Sequence, residues 1–120
     1  MAIGRSESDT RISVRIGNEL TTTATQLVPV NHEGLSQAAV YIANFCTAGI
    51  HYDIKGCCNK EVSSTAYWYS IATGTANPGS AIFIGGNNVT GLKDLHDCLT
   101  VEYFASGNTS GAFVIQLQVW

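Results

Sequence analysis

Residues 94–98, DLHDC, put Asp94, His96, Asp97 and Cys98 within one short stretch. A cysteine nucleophile needs a histidine to take its proton and a carboxylate to orient that histidine. Such partners normally converge from distant segments, so closeness in sequence does not supply the geometry. His96 between two aspartates reads as a charged surface turn or helix, and no enzymatic activity is expected. Zinc is the next chemistry to consider. Structural zinc sites use ligand pairs spaced so that a short turn aims both at one ion. Cys57 and Cys58 are adjacent, and in a strand their side chains would point to opposite faces. Convergence of Cys46, His51, Cys58 and Cys98 through the fold is the remaining route to a metal. Small apolar packing for Cys46 and Cys98, with the 57–58 pair in a loop, is the preferred reading, so no metal and no cofactor are expected.

Paired carboxylates for glycoside chemistry have a candidate in Asp53 with Glu61 or Glu102, but nothing in the sequence sets their separation, which decides that chemistry. Tyr67, Trp68, Tyr69 and Tyr103 with Trp120 offer a stacking platform for a glycan. Aromatics alternating along strands more often serve core and inter-subunit packing. Gly85-Gly86-Asn87-Asn88 lacks the lysine and following helix of a phosphate loop and reads as a turn. Gly85 and Gly86 can adopt positive φ there, and Asn87 and Asn88 can close the turn with their side chains. His51 is expected to face solvent or a neighbouring subunit, and His32 falls in a turn.

The elements that would carry these residues are extended. In residues 11–16, RISVRI, Ile12, Val14 and Ile16 alternate with Arg11, Ser13 and Arg15, the period of a half-buried strand. Residues 20–28 are rich in threonine and run into Pro29, which cannot donate to a central ladder, so that strand should stop there or lie at an edge. Residues 38–45, 49–54 and 64–72 are rich in β-branched and aromatic residues, as are 80–84, 98–104 and 112–120. The last places Phe113, Ile115, Leu117 and Val119 on one face. Turn-forming clusters separate these runs at 31–34, 55–60, 74–79, 85–88 and 106–111. Only residues 91–99 carry helical spacing, through Leu92, Leu95 and Leu99. The expected fold is an all-β antiparallel sandwich of jelly-roll type, with about eight strands and at most one short helix. Residues 1–10 form a flexible or partner-bound arm, and 11–120 a single domain. The expected core is Ile12, Val14, Ile16, Val40, Ile42, Ile82, Ile84, Leu99, Val101, Ile115 and Leu117.

Composition narrows the function. The chain has 120 residues, a formal charge of −3, 45% hydrophobic residues and only 12% charged ones. That charged share is about half the usual one, which suits a surface covered by neighbours in an assembly. The basic residues Arg5, Arg11, Arg15, Lys55, Lys60 and Lys93 form no run, so no nucleic-acid footprint is expected. No stretch approaches the roughly 18 apolar residues of a membrane helix, and the first ten residues lack a signal-peptide layout. The chain therefore reads as soluble and unexported by the common route. Its four cysteines are then expected as buried free thiols, and the sequons at Asn88 and Asn108 carry little weight.

Two stretches taken together resemble a known pattern. TATQLVPVN (23–31), followed by AVYIANF (39–45) and then IFIGGNNVTG (82–91), is similar to small β-sandwich virion proteins of tailed bacteriophages, in which an ATxLVP strand, a strand with a buried Ile-x-Asn and an IGG-x-NVT turn recur. The resemblance covers about half the chain and departs from the pattern at residues 46–79 and after Leu92. It implies a head decoration or cement protein, or a fibre-base module, with no catalytic residue. The partners implied are the major capsid protein or another virion protein and further copies of the chain, most simply as a trimer, with a glycan as the alternative ligand. Contacts are expected from Tyr67, Trp68, Tyr69, the N-terminal arm and the strand ending in Trp120.

Overall fold

The computed structural model describes residues 10–31, 37–57, 68–85 and 98–120. They form nine strands: β1 (Arg11–Gly17), β2 (Thr25–Gln26), β3 (Val30–Asn31), β4 (Ala38–Asn44), β5 (Ile50–Cys57), β6 (Trp68–Ala76), β7 (Ser80–Gly85), β8 (Cys98–Ala105) and β9 (Phe113–Val119). No helix occurs among the described residues, so none there is long and apolar enough to cross a membrane. Two antiparallel sheets result. The first has the order β1-β9-β4-β7, and the second the order β2-β8-β5-β6, with β3 also on β8. Except between β5 and β6, every strand's sheet neighbours are distant in sequence. This interleaving is the jelly-roll arrangement expected from the sequence.

Pro29 acts as anticipated. β2 and β3 are two short pieces of one interrupted edge strand, Gln26 opposite Glu102 and Val30 opposite Leu99. In the gap, Leu27 N–H donates to the Val101 carbonyl at 2.9 Å, and the buried Thr100 hydroxyl donates to the Leu27 carbonyl at 2.7 Å. The side chain supplies a bond that the broken ladder lacks.

The core lies between the sheets. Phe113, Ile115, Leu117 and Val119 of β9 and Val40 and Ile42 of β4 face Leu99, Val101 and Tyr103 of β8 and Ile50 and Ile54 of β5. The rings of Tyr103 and Phe113 meet across the layers at 6.1 Å. Asn44, like Thr100, is a polar residue that is fully buried. Its Nδ2 donates to the carbonyls of Ala48 and Ala76, each at 2.9 Å, and its Oδ1 accepts from Cys46 N–H at 2.8 Å. One amide thus joins the end of the first sheet to the β4–β5 connection and the end of β6. The β6–β7 crossing beside it uses Asn77-Pro78-Gly79-Ser80, with Gly79 at φ 77° and Ser80 N–H donating to the Asn77 carbonyl. Proline then glycine in the central positions suits a type II turn.

Several expectations need correcting. Ile12, Val14 and Ile16 do not enter the core; they point outward, and Ser13 is the buried residue of β1. The period is as read, but the phase is reversed. β1 is an edge strand beside the open side of the sandwich, where long basic side chains on inward positions can reach the rim. Arg11 Nη1 donates to the Asn31 carbonyl at 2.6 Å, and the Arg15 charge acts on Tyr103. Gly17, also inward, lies against the Phe113 ring. Ile82 is only partly buried against the core. Lys55, Gly56 and Cys57, read as a turn, continue β5, while Gly74, Thr75 and Ala76 belong to β6. Leu99, read as helical, lies in β8; residues 91–97 of that segment are outside the described residues. Cys46, Cys57 and Cys98 are buried, with Cys57 in strand register rather than in a loop and opposite Cys98. Cys58 is outside the described residues.

Candidate functional site

The outward faces of the two sheets differ sharply in chemistry. On the first sheet, strand register builds three rows: Ile12-Gln118-Ala39-Gly85, Val14-Gln116-Tyr41-Phe83 and Ile16-Val114-Ala43-Ala81. None of these residues carries a charge. Ile12 is 54% exposed, Val14 47%, Ile16 70%, Tyr41 39% and Phe83 62%, and Phe45, just past β4, is 61% exposed. Scattered exposed hydrophobics are ordinary; a contiguous uncharged patch of branched and aromatic side chains marks a contact surface. With strands about 4.8 Å apart and a rise of about 3.4 Å per residue, four strands of six or seven residues present a face of roughly 450 Å².

The outward face of the second sheet is polar and hollowed. His51 and Asp53 of β5, Thr73 and Thr75 of β6, and Glu102 and Phe104 of β8 surround a depression of about 430 Å³, with Tyr52 and Gly74 also lining it. Alternation puts these side chains on one face, and the pairings Asp53–Glu102, His51–Phe104 and His51–Thr75 bring them together. His51 Nδ1 lies 2.8 Å from the Thr75 hydroxyl oxygen, and its ring sits 5.1 Å from that of Phe104. The Ser70 hydroxyl donates to Asp53 Oδ1 at 2.6 Å. Lys55 Nζ lies 3.4 Å from Glu102 and 3.9 Å from Asp53, countering part of their charge.

The residues singled out in the sequence are distributed as follows. Trp68 and Tyr69 open β6, half-buried and exposed respectively, and Trp120 follows β9, half-buried. Trp120 exchanges backbone hydrogen bonds with Gln37. All three lie at one end of the sandwich, the end where Arg11 meets Asn31. Tyr67, Gly86, Asn87, Asn88, His32, Glu61, His96 and the N-terminal arm through residue 9 are outside the described residues. Gly85 ends β7 and does not use the positive φ open to it; a Cβ there would lie 3.2 Å from the Phe83 ring. Of the carboxylate pairs considered, Asp53 and Glu102 do come together. Cys46, at the other end of the domain from Cys98, joins no cluster with His51, and among the described residues no group of three His, Cys, Asp or Glu side chains can hold a metal. The exposed face of the first sheet does not emerge from the sequence, where its β1 members Ile12, Val14 and Ile16 read as core.

No family model matches the sequence, and no curated protein matches it. The fold is similar to that in the crystal structure of PBSX exported protein XepA, with a TM-score of 0.68. The match has 13% sequence identity and covers 92% of this chain but 36% of the other. This chain thus spans about a third of that protein's length, and the likeness is one of fold.

Proposed function

We propose that the protein is a structural subunit of a tailed-phage virion, a decoration or cement protein that docks on the head through the outward face of β1, β9, β4 and β7. The observation carrying this reading is that face: branched and aromatic side chains exposed over three strand rows with no charge among them. The jelly-roll likeness to phage PBSX exported protein XepA supports a phage-associated role, as does the resemblance of the 23–31, 39–45 and 82–91 segments to small virion proteins. The face measures roughly 450 Å²; since it includes Gln116 and Gln118 and the already buried Ala39 and Ala43, its apolar share at about 25 cal/mol per Å² contributes less than about 11 kcal/mol from this side of the contact. Association costs of about 4–15 kcal/mol offset much of it. A closed homo-oligomer such as a trimer, presenting several copies of the face at once, would convert a moderate contact into a firm one. The role is non-enzymatic.

The test is co-sedimentation of the purified protein with heads assembled without it. Wild-type protein should add to heads, and Phe83→Lys and Val14→Lys should abolish addition while leaving the fold intact. Addition by both charged variants at wild-type affinity would refute the reading.

A further inference from the structure

The geometry points to the hollow on the outward face of the second sheet as a binding site for a neutral saccharide. Its volume of about 430 Å³ lies within the range of small-ligand sites, roughly 300–1,000 Å³. Its lining combines what a sugar ring requires. Asp53 and Glu102 offer acceptors for ring hydroxyls, because each carboxylate has about four lone-pair sites and the contacts of Asp53 with Ser70 and Lys55 and of Glu102 with Lys55 occupy only some of them. Hydrogen bonds to ionised acceptors are the stronger kind. Thr73 can donate or accept, and His51, whose Nδ1 is engaged with Thr75, keeps its other ring nitrogen for a ligand. Phe104 supplies an aromatic surface for the C–H face of a ring.

The same features argue against other ligands. Two carboxylates repel phosphate and other anions. The Lys55 ammonium between them already answers their charge, and three metal-ligating side chains do not converge among the described residues, which disfavours a cation. An apolar ligand would cover the carboxylates' remaining acceptor sites without satisfying them. Because the hollow lies on the sheet opposite the uncharged face, a subunit seated on a shell by that face would present the hollow to the medium. The saccharide site itself does not depend on that seating.

The experiment uses the full chain on an array of neutral mono- and oligosaccharides of glucose, galactose, mannose and N-acetylglucosamine, followed by calorimetric titration with the sugar that binds best. Binding of one sugar class is expected, weakened about tenfold by Asp53→Asn and by Glu102→Gln, each equivalent to losing one good hydrogen bond. Both variants keep side-chain shape, and unchanged melting temperatures will show that the fold persists. Phe83→Lys, on the opposite face, should bind the sugar as wild type does while failing to add to heads, which separates this site from the docking reading. Absence of binding by the wild type to every arrayed sugar, or undiminished binding by the Asp53→Asn/Glu102→Gln double variant, would overturn the assignment.

Discussion

Replacing Asn44 with alanine tests how the two sheets are tied. The side chain is fully buried and makes three hydrogen bonds, two donated to the carbonyls of Ala48 and Ala76 and one accepted from Cys46 N–H. Alanine removes all three partners at once and leaves backbone groups without bonds in a region largely closed to water. A typical intramolecular hydrogen bond contributes about 1 kcal/mol net, and a buried group left unsatisfied costs about 1–3 kcal/mol. Some relaxation of the β4–β5 connection offsets part of this, so the expected loss is about 3 kcal/mol. For a domain of this length, each kcal/mol moves the midpoint by roughly 4 °C, so Asn44→Ala should melt about 12 °C below wild type. Thermal unfolding followed by circular dichroism at 218 nm reads this directly, with urea titration as a check that the slope is unchanged. Asn44→Asp should also be destabilised, since it keeps the acceptor but loses the donor and buries a charge. A shift of less than about 3 °C for Asn44→Ala would mean that the three bonds do not hold the sheets together, and the reasoning would fail.

Other expectations follow from the same kind of reading. Gly111→Ala should destabilise by about 3 kcal/mol in chemical denaturation, because φ is 118° there and a Cβ would press on the Phe45 carbonyl oxygen and lie 3.0 Å from Cys46 Cα; an unchanged urea midpoint would refute this. The triple variant Ile12→Thr/Val14→Thr/Ile16→Thr should lose no more than about 1.5 kcal/mol, as exposed positions do, whereas Ile42→Ala alone should lose about 2–5 kcal/mol; the reverse ranking would put β1 back in the core. Burial raises the Tyr103 pKa above its usual value of 10.0, with the Arg15 charge opposing. The stability linked to this group is therefore fully present below pH 10.0 and lost as pH rises toward the folded-state pKa, since only the unfolded chain then releases the proton. Tyr103→Phe should show a shallower alkaline decline in melting temperature, and an identical decline would contradict the shift.

Strand positions and fold class were legible because alternation and turn chemistry are local. β9 shows this best: Phe113, Ile115, Leu117 and Val119 are buried in strict alternation, as their spacing requires. Pro29 foretold the broken edge, and Pro78-Gly79 the tight crossing. The phase of β1 was not legible. A period of two says that Ile12, Val14 and Ile16 share a face, but not which face is covered, and the greasier side was assigned inward. In this chain that side is the exposed one, and arginine on the inward side is tolerated only because β1 lies at an edge. β5 ran further than expected because Lys55-Gly56-Cys57 has the composition of a turn, yet pairs on both sides, with β6 and β8. The hollow was illegible for a different reason. His51, Asp53, Glu102 and Phe104 alternate outward on their own strands, but only the jelly-roll topology makes β5 the neighbour of β8 and β6.

On the proposed role, the uncharged face of β1, β9, β4 and β7 is covered by a virion partner. Hydroxyl-radical footprinting of the protein free and bound to heads measures that cover residue by residue. Val14, Tyr41 and Phe83 should lose most of their labelling on binding, while His51 and Phe104 on the opposite sheet keep theirs. Labelling of Tyr41 and Phe83 that stays at the free-protein level in head-bound subunits would contradict the claim.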